Sequence, residues 1–577
     1  MSWPGLSPDL VRTVGVQAVA SLSNSGRGEL CAVPALDSVT IHFDPLQQSL
    51  NDVVEHVRTW LLDVQPSQSA SQRHVEIPVC YEEEFALDLS DVAAAAGLCE
   101  ADVIRRHSEA RYVVQFLGFA PGFPYLLGLP EELHTPRRAT PRVRVPAGSV
   151  GIGGRQTGIY PQELPGGWNI IGRTPLTLFH PMADPPSLLQ PGDSVQFVPV
   201  TAAEFRAVSA AAAESTQRPV RCGEGLAESG DAVVRVLRAG LLTTVQDRGR
   251  RRHRHLGVPV SGVMDPAAAE LANRLVGNPP EAAVLELTLV GDELEFSCES
   301  LIALTGAEFN DGSIRTDAGR CRLPQNRPVR LPPGAIVQIG RAARGCRGYL
   351  AIAGGLQVPM TLNSRSTLLR SRLGGLEGRR LQPGDELLVG PTELRSENSS
   401  GHLSQGATES SLPESPAWFI RVQPLPREAS VLRILPGPQL EALSACARER
   451  LFSEPFRIDA QSDRMGYRLR GTSPLQIPAC ELESAGTLIG QIQLPPDGHP
   501  LLLMADAAPT GGYPCLGCVI SADRPLAAQL RPGQSLRLQR TTRDEAVSAL
   551  KAQSDALQRA VRMAFGWPAQ DGAADSV

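Results

Sequence analysis

This sequence predicts a mainly β protein: an α+β subdomain at the N-terminus followed by barrel-like β units in series. Three observations carry that expectation. Leu188–Val200, Arg330–Gly340, Arg380–Gly390 and Gln529–Arg540 each set a Pro-Gly turn before an alternating strand, Pro fixing φ and Gly taking the positive φ that follows. Three of these segments close longer β-rich stretches, which gives about three barrel-like units. Two passages, Pro146–Pro175 and Glu483–Pro514, repeat one outline of small residues and Gly, an Ile-containing strand, a Pro/Gly turn and a polar exit, as a duplicated unit would. Finally, 577 residues at the usual domain size correspond to about four domains.

In chain order, residues 7–23 read as a helix and Ser38–Pro45 as a strand entering a turn. Leu50–Leu62 has apolar residues at helical spacing and His74–Tyr81 is a second strand, so 1–84 is expected to form a small α/β unit. Asp88–Ala96 and Cys99–His107 read as a helical pair, and Ala110–Pro130 as a strand and a Pro-Gly loop. There Phe119, Phe123 and Tyr125 are either core plugs or one wall of a pocket. Arg137, Arg138, Arg142 and Arg144 lead into the first glycine passage. The expected divisions are a cyclophilin-like barrel over 85–202, an Ala/Glu/Ser-rich linker over 203–231, and a second barrel over 232–394. A low-complexity, mobile linker over 395–428 precedes a third barrel over 429–541, and 542–577 is a helix with a frayed tail. Within the second barrel, Asp265-Pro266 has the chemistry of a helix start, with Gly277 as the stop.

The composition excludes several classes. A net charge of −6 and 42% hydrophobic residues give no general pull toward nucleic acid or membrane. No apolar run approaches the roughly 20 residues of a membrane span and no signal pattern opens the chain, so a cytoplasmic protein is expected. Eleven scattered cysteines suit reduced thiols. Of 55 basic residues only Lys551 is lysine. That leaves no GK[ST] phosphate loop, no strand lysine of a kinase, no Schiff-base lysine and no site for covalent biotin. Any phosphate or carboxylate must be held by arginine and backbone amides.

Candidate chemistry sits in three places. Pro146–Pro175 holds eight glycines interleaved with Arg155, Gln156, Tyr160, Trp168, Asn169 and Arg173; backbone N–H groups there could approach an anion or carboxamide, or the run could be tight turns at a barrel rim. Thr244, Gln246, Asp247 and Arg248 lie at a strand-to-loop transition. Asp463 and Arg464 stand just before the second glycine passage with its Gln493 and Asp506. His253 and His255 lack a third ligand, and the Cys515/Cys518 pair lacks a second pair, so no metal site is expected.

The motifs GFAPGFPYLLGLP, VPAGSVGIGGRQTGIYPQELPGGWNIIGRTP, TTVQDRGR with SGVMD and ANRLVGN, SDRMGYRL and TGGYP together resemble the families of the B and C subunits of 5-oxoprolinase, joined in one chain. These are also the allophanate hydrolase subunit 1 and 2 families, similar to the carboxyltransferase domain of urea carboxylase. The resemblance implies an α/β subdomain plus a cyclophilin-like barrel for the N-terminal part and two such barrels for the C-terminal part. It implies ATP-dependent opening of 5-oxo-L-proline to L-glutamate with a separate third subunit, ATP and Mg²⁺ being the expected cofactors. Under it, Asp247, Arg248, Asp463 and Arg464 are expected in catalysis, and Gln156, Tyr160, Trp168, Arg173, Gln493, Asp506 and Tyr513 at the substrate. Gly151, Gly153, Gly154, Gly511 and Gly512 are expected at the cofactor. The chain departs from the pattern in lacking the family's first strand, in YEEEFALDL, in Arg252 and in Cys515 after TGGYP. Two other readings stay open: a biotin-dependent carboxyltransferase component acting on a urea-like amide, and a kinase-binding regulator. Fusion keeps the two parts at equal stoichiometry, which favours a shared active site.

Overall fold

The computed structural model describes residues 8–22, 30–63, 73–215, 232–392, 413–416, 419–420, 425, 429–477 and 482–565. The N-terminal unit packs helices Pro8–Leu22 and Leu50–Asp63 on a two-stranded hairpin, Cys31–Pro34 with Val39–His42. Ala18, Leu30, Val39, Val53 and Val57 form its core. The strand His74–Cys80 does not belong to this unit. It pairs in parallel with Ser194–Val200, so the first barrel takes its opening strand from before residue 85.

That barrel is closed. Around it run His74–Cys80, Ser194–Val200, Tyr112–Leu117, Pro124–Leu127, Gln156–Ile159, Ser149–Gly153 and Asn169–Arg173. The last barrel repeats this order strand for strand: Ala429–Pro436, Ser535–Arg540, Phe456–Ile458, Gly466–Arg470, Leu501–Leu503, Gln491–Gln493 and Cys515–Val519. Each has one parallel pair, between its first and last strands. Each also carries a small accessory ladder off the barrel, Arg142–Val145 with Leu164–Gly166 in one and Ala485–Gly486 with Thr510–Gly511 in the other. The duplicated outline in the sequence is therefore a duplicated topology. Closure removes every exposed sheet edge.

The middle unit differs from the expected barrel. Among the described residues its strands form a seven-stranded and a five-stranded sheet, which face each other across one core containing Val236, Leu285, Phe296, Leu304, Val337 and Leu350. On the outer face of the five-stranded sheet lies the helix Pro266–Leu275, capped as expected: the Asp265 carboxylate accepts from Ala268 N and Pro266 occupies the first turn. The C-terminal helix Arg543–Phe565 packs on it through Leu557 and Val561.

The expected linker over 203–231 is partly a helix. Ala202–Ser215 is opened by a capping box in which Thr201 N donates to Glu204 Oε2 (2.8 Å) and Glu204 N to Thr201 Oγ1 (3.3 Å). Ala202 and Phe205 bury against Cys80 and Phe85 of the barrel, which is why an Ala-rich run is held rather than free. Residues 216–231, most of the 395–428 spacer and the tail beyond 565 lie outside the described residues. None of the described helices is long and apolar enough to cross a membrane.

Asp265 also accepts from Gln529 of the last barrel (Nε2 to Oδ2, 2.9 Å). Burial lifts its carboxyl from 3.8 to about 6, against the hydrogen bonds from Gln529 and Ala268. A folded-state pKa above the unfolded one means the folded chain takes up the proton first. The wild type should therefore lose stability relative to Asp265→Asn as pH rises from 3.8 through about 6, with a difference in slope of at most about 1.4 kcal/mol per pH unit. Urea denaturation of both proteins across that window measures it.

Candidate functional site

The two glycine passages, more than 300 residues apart, meet in space. Strands Ser149–Gly153 and Gln156–Ile159 are joined by a two-residue turn, Gly153 pairing with Gln156 and Gly154 taking φ +66°. Arg155 at its tip holds Glu483 of the last unit (Nη2 to Oε1, 2.5 Å). Beside it, Phe119 has φ +62° and donates its N–H to Thr510 Oγ1 (2.7 Å). Gly118 makes the approach possible, since a Cβ there would stand 2.4 Å from the same oxygen. Thr510 opens the TGGYP turn, so a motif of the first barrel and a motif of the last interlock.

The junction of the two passages has a defined polar rim. Of the four arginines that precede the first passage, Arg138 and Arg142 clamp the buried Asp88 and Arg144 pairs with Glu163. Arg137 is exposed, without a carboxylate among the described residues, and faces Gly512 of the other passage. A Cβ on Gly512 would sit 3.9 Å from Arg137 Nη1 and 3.8 Å from Ser484 Oγ. The Tyr125 hydroxyl, its pKa raised by burial against the opposing pull of Ser484, Arg137 and Thr510, turns toward the same rim. Gln493 lies beneath it, with Nε2 3.1 Å from where a Cβ of Gly511 would be. Tyr513 is 41% exposed.

Several expected site residues are structural. Gly153 and Gly158 are a bed for the Trp168 indole: a Cβ on Gly153 would stand 2.6 Å from its Nε1 and one on Gly158 3.0 Å from its ring, while Gly151 borders Trp168 Cβ at 3.2 Å. Gly166 gives the same room to the Tyr160 hydroxyl (2.2 Å). Both rings meet Phe123 edge-on, with centroids at 5.6 and 5.2 Å. The glycine face of the first barrel thus accommodates its own aromatics. Gln156 is buried, and its Nε2 has no hydrogen-bond partner among the described residues. Arg173 lies at the far end of its strand, donating to Ala147 O (2.6 Å) and stacking over Phe205.

In the C-terminal part the four expected catalytic residues separate. Asp247 is a turn organiser, accepting from Gly249 N, Ser364 Oγ, Ser366 Oγ and Arg365 N at 2.5–2.7 Å. Arg248 pairs with Glu270 at the surface (3.4 Å), and Asp463 caps Met465 N (2.8 Å). Arg464 alone is deeply buried. Its Nε and Nη2 grip Asp506 in a fork, each at 3.0 Å, its Nη2 also donates to Gly262 O (2.6 Å), and its Nη1 donates to Glu286. Glu286 further accepts from Met264 N (2.8 Å) and Tyr349 OH (2.9 Å), and Arg347 Nε stands 3.8 Å away. Ser261, at φ +58°, sets its Oγ 2.8 Å from Asp506. Burial would lower the Arg464 pKa, but Asp506 and Glu286 outweigh it, so the pKa is raised. Sequence reasoning missed Glu286, Arg347 and Ser261. The signal for Glu286 was its place as a lone charge in the apolar strand VLELT.

The comparisons divide the chain as these contacts do. Residues 5–189 match the carboxyltransferase domain, subdomain C and D, and 256–540 match subdomain A and B. The C subunit of 5-oxoprolinase from Escherichia coli K12 is 36% identical over 327 residues, 56% of this chain and 95% of that protein. The chain belongs to the carboxyltransferase-domain family. The B subunit of 5-oxoprolinase from Escherichia coli O157:H7 is 52% identical over 168 residues, 29% of this chain and 77% of that protein. The crystal structure of TTHA0988 superposes with a TM-score of 0.76 at 34% identity, covering 93% of this chain and 99% of that one. Urea amidolyase of Saccharomyces cerevisiae is 32% identical over 313 residues, 52% of this chain and 16% of that protein. Within this family member, Arg155–Glu483 and Phe119–Thr510 are contacts between the two matched regions, so the junction belongs to neither alone.

Replacing Arg464 by Met should cost about 3–5 kcal/mol, because it strands Asp506 buried without a cation and leaves Glu286 with Arg347 alone, 3.8 Å away. Exchanging Arg464 and Asp506 together for apolar residues of similar volume should recover part of that loss. Chemical denaturation of the two variants tests both statements.

Proposed function

We propose that this chain supplies two of the components of an ATP-dependent 5-oxoprolinase, acting in the cytoplasm with a separate third subunit to open 5-oxo-L-proline to L-glutamate. The observation that carries this reading is the junction at which both halves interlock, in a chain whose halves are similar to proteins named as the B and C subunits of 5-oxoprolinase. The likeness to urea amidolyase spans about half of the chain, whereas the oxoprolinase subunits account for both halves.

A lactam is resonance-stabilised, so its carbonyl carbon needs activation before water can add. In the proposed reaction the lactam oxygen attacks the γ-phosphorus of ATP and ADP leaves. The carbon–oxygen unit then carries a phosphate leaving group, water adds to that carbon, and the ring C–N bond and the phosphate are released to give glutamate and phosphate. Arg137 would hold the substrate carboxylate, a planar fork against a planar anion. The hydroxyls of Ser484 and Tyr125 and the backbone N–H groups of the Gly511–Gly512 turn would face the oxygens of the phosphoryl group as it passes to the exocyclic lactam oxygen, where the negative charge lies. Among the described residues no three His, Cys, Asp or Glu side chains converge as metal ligands. Mg²⁺ would enter on the nucleotide's phosphates with its own waters, and no step is assigned to it.

Oxoproline-dependent ATP hydrolysis should appear when the third subunit is added and should be insensitive to avidin. Arg137→Ala should lower it ~100-fold without lowering the thermal midpoint. Because Arg173 and Arg248 lie away from the junction, Arg173→Ala and Arg248→Ala should affect turnover far less. No turnover with the complete set of subunits, or undiminished turnover in Arg137→Ala, rejects the assignment.

A further inference from the structure

The Gly511–Gly512 turn stands on a short stem. Ala485–Gly486 and Thr510–Gly511 pair at two positions, and a two-stranded ladder of that length holds no shape by itself. Its own unit ties the ends: Thr487 N donates to Pro509 O (2.9 Å), and beyond the turn Cys515 N donates to Gln439 Oε1 (2.9 Å). The middle is gripped from the other half of the chain, on both strands. Phe119 N donates to Thr510 Oγ1 (2.7 Å). On the paired strand, Thr40 of the N-terminal unit lies where Gly486 has no side chain, a Cβ there standing 2.5 Å from Thr40 Oγ1.

The first barrel is shaped for this contact. Phe119 takes φ +62°, a region that bulky residues rarely enter and that persists only where the surroundings fix it. Gly118 supplies the clearance: the two atoms nearest to a Cβ there would be Thr510 Oγ1 (2.4 Å) and Thr510 Cγ2 (3.0 Å). Thr510 is buried, and without its hydroxyl the Phe119 N–H would lose its partner. Arg137 belongs to the same barrel as Phe119, and its Nη1 stands 3.9 Å from the place of a Gly512 Cβ. One side of the junction therefore carries both the exposed guanidinium and the anchor of the turn that faces it.

We propose that Thr510 is a positioning residue: through the hydrogen bond from Phe119 N, the first barrel sets the Gly511–Gly512 turn of the last barrel in front of Arg137, with Gly118 as the clearance that the contact needs. The inference rests on the lactam reading, because it concerns the turn whose N–H groups that reading places on the phosphoryl oxygens. Thr510 itself touches no reacting atom. Loss of the contact displaces the turn and leaves Arg137, the anchor for the substrate carboxylate, where it is. The effect therefore falls on kcat and not on KM, the signature of an interaction made in the transition state alone.

The test is steady-state, oxoproline-dependent ATP hydrolysis by the full chain with the third subunit, at a temperature where each variant is shown folded by its thermal midpoint. Thr510→Ala and Gly118→Ala should each lower kcat about tenfold, with KM for 5-oxoproline within about twofold of wild type. Thr510→Ser keeps the hydroxyl and should retain most of the rate. The two Thr510 atoms nearest to the added Cβ are absent from alanine, so Gly118→Ala should cost nothing further in the Thr510→Ala background. Hydrogen exchange at Gly511 and Gly512 should quicken in Thr510→Ala while the barrel strands keep their protection, which a general loss of stability would not produce. If Gly118→Ala fails to fold, the contrast between Thr510→Ala and Thr510→Ser carries the test. Wild-type turnover with kcat unchanged in Thr510→Ala, or an equal loss from Gly118→Ala in both backgrounds, overturns the inference and leaves the lactam reading standing. No wild-type turnover with the complete set of subunits overturns both.

Discussion

Arg464 is the constraint on which the C-terminal part depends. Four of its five N–H donors are shared among Asp506 of its own barrel, Glu286 of the middle unit and the carbonyl of Gly262 in the loop between them. A charged group so deeply enclosed is tolerable only when it is paired and hydrogen-bonded, and the geometry that does so fixes the two units and the loop at once. The SGVMD and SDRMGYRL motifs are therefore two halves of one joint. With that joint made, Asp506 and the chain after it are set, and Thr510 arrives where the first barrel can hold it.

The glycines show how one residue type serves opposite ends. At Gly153, Gly158 and Gly166 the missing Cβ lets Trp168 and Tyr160 lie flat on the barrel. At Gly118 it lets another domain's hydroxyl reach a main-chain N–H, and at Gly512 it leaves open ground in front of Arg137. Density of glycine along the chain does not separate these cases, because each depends on what stands opposite.

Duplication supplies the symmetry that the junction uses. Each barrel carries the same accessory ladder outside the same strands, and the junction forms where Phe119, Arg137 and Arg155 of the first barrel meet Thr510, Gly512 and Glu483 of the last unit. The middle unit, built as two sheets over one core, acts as the spacer: it holds the last barrel through Glu286, Arg347 and Gln529 and sends out the loop that reaches the first barrel. A repeated fold thus yields one asymmetric site, because the residues at equivalent places differ.

The sequence by itself determined what local chemistry decides: the Pro-Gly turns that launch strands, the Asp265-Pro266 helix start, the repeated outline and the near absence of lysine. Where it misled, the competing signal was also local. The Ala-rich run after Thr201 looked like linker although Thr201 and Glu204 spelled a capping box, and the fate of that helix turned on Phe205 meeting Phe85, a contact no window of sequence contains. The site was legible as a neighbourhood and not as a constellation. That Arg137 rather than Arg173 faces the second passage, and that Asp247 ties a turn while Arg464 joins two domains, were decided only by tertiary structure, because burial and partner are properties of the far side of a contact.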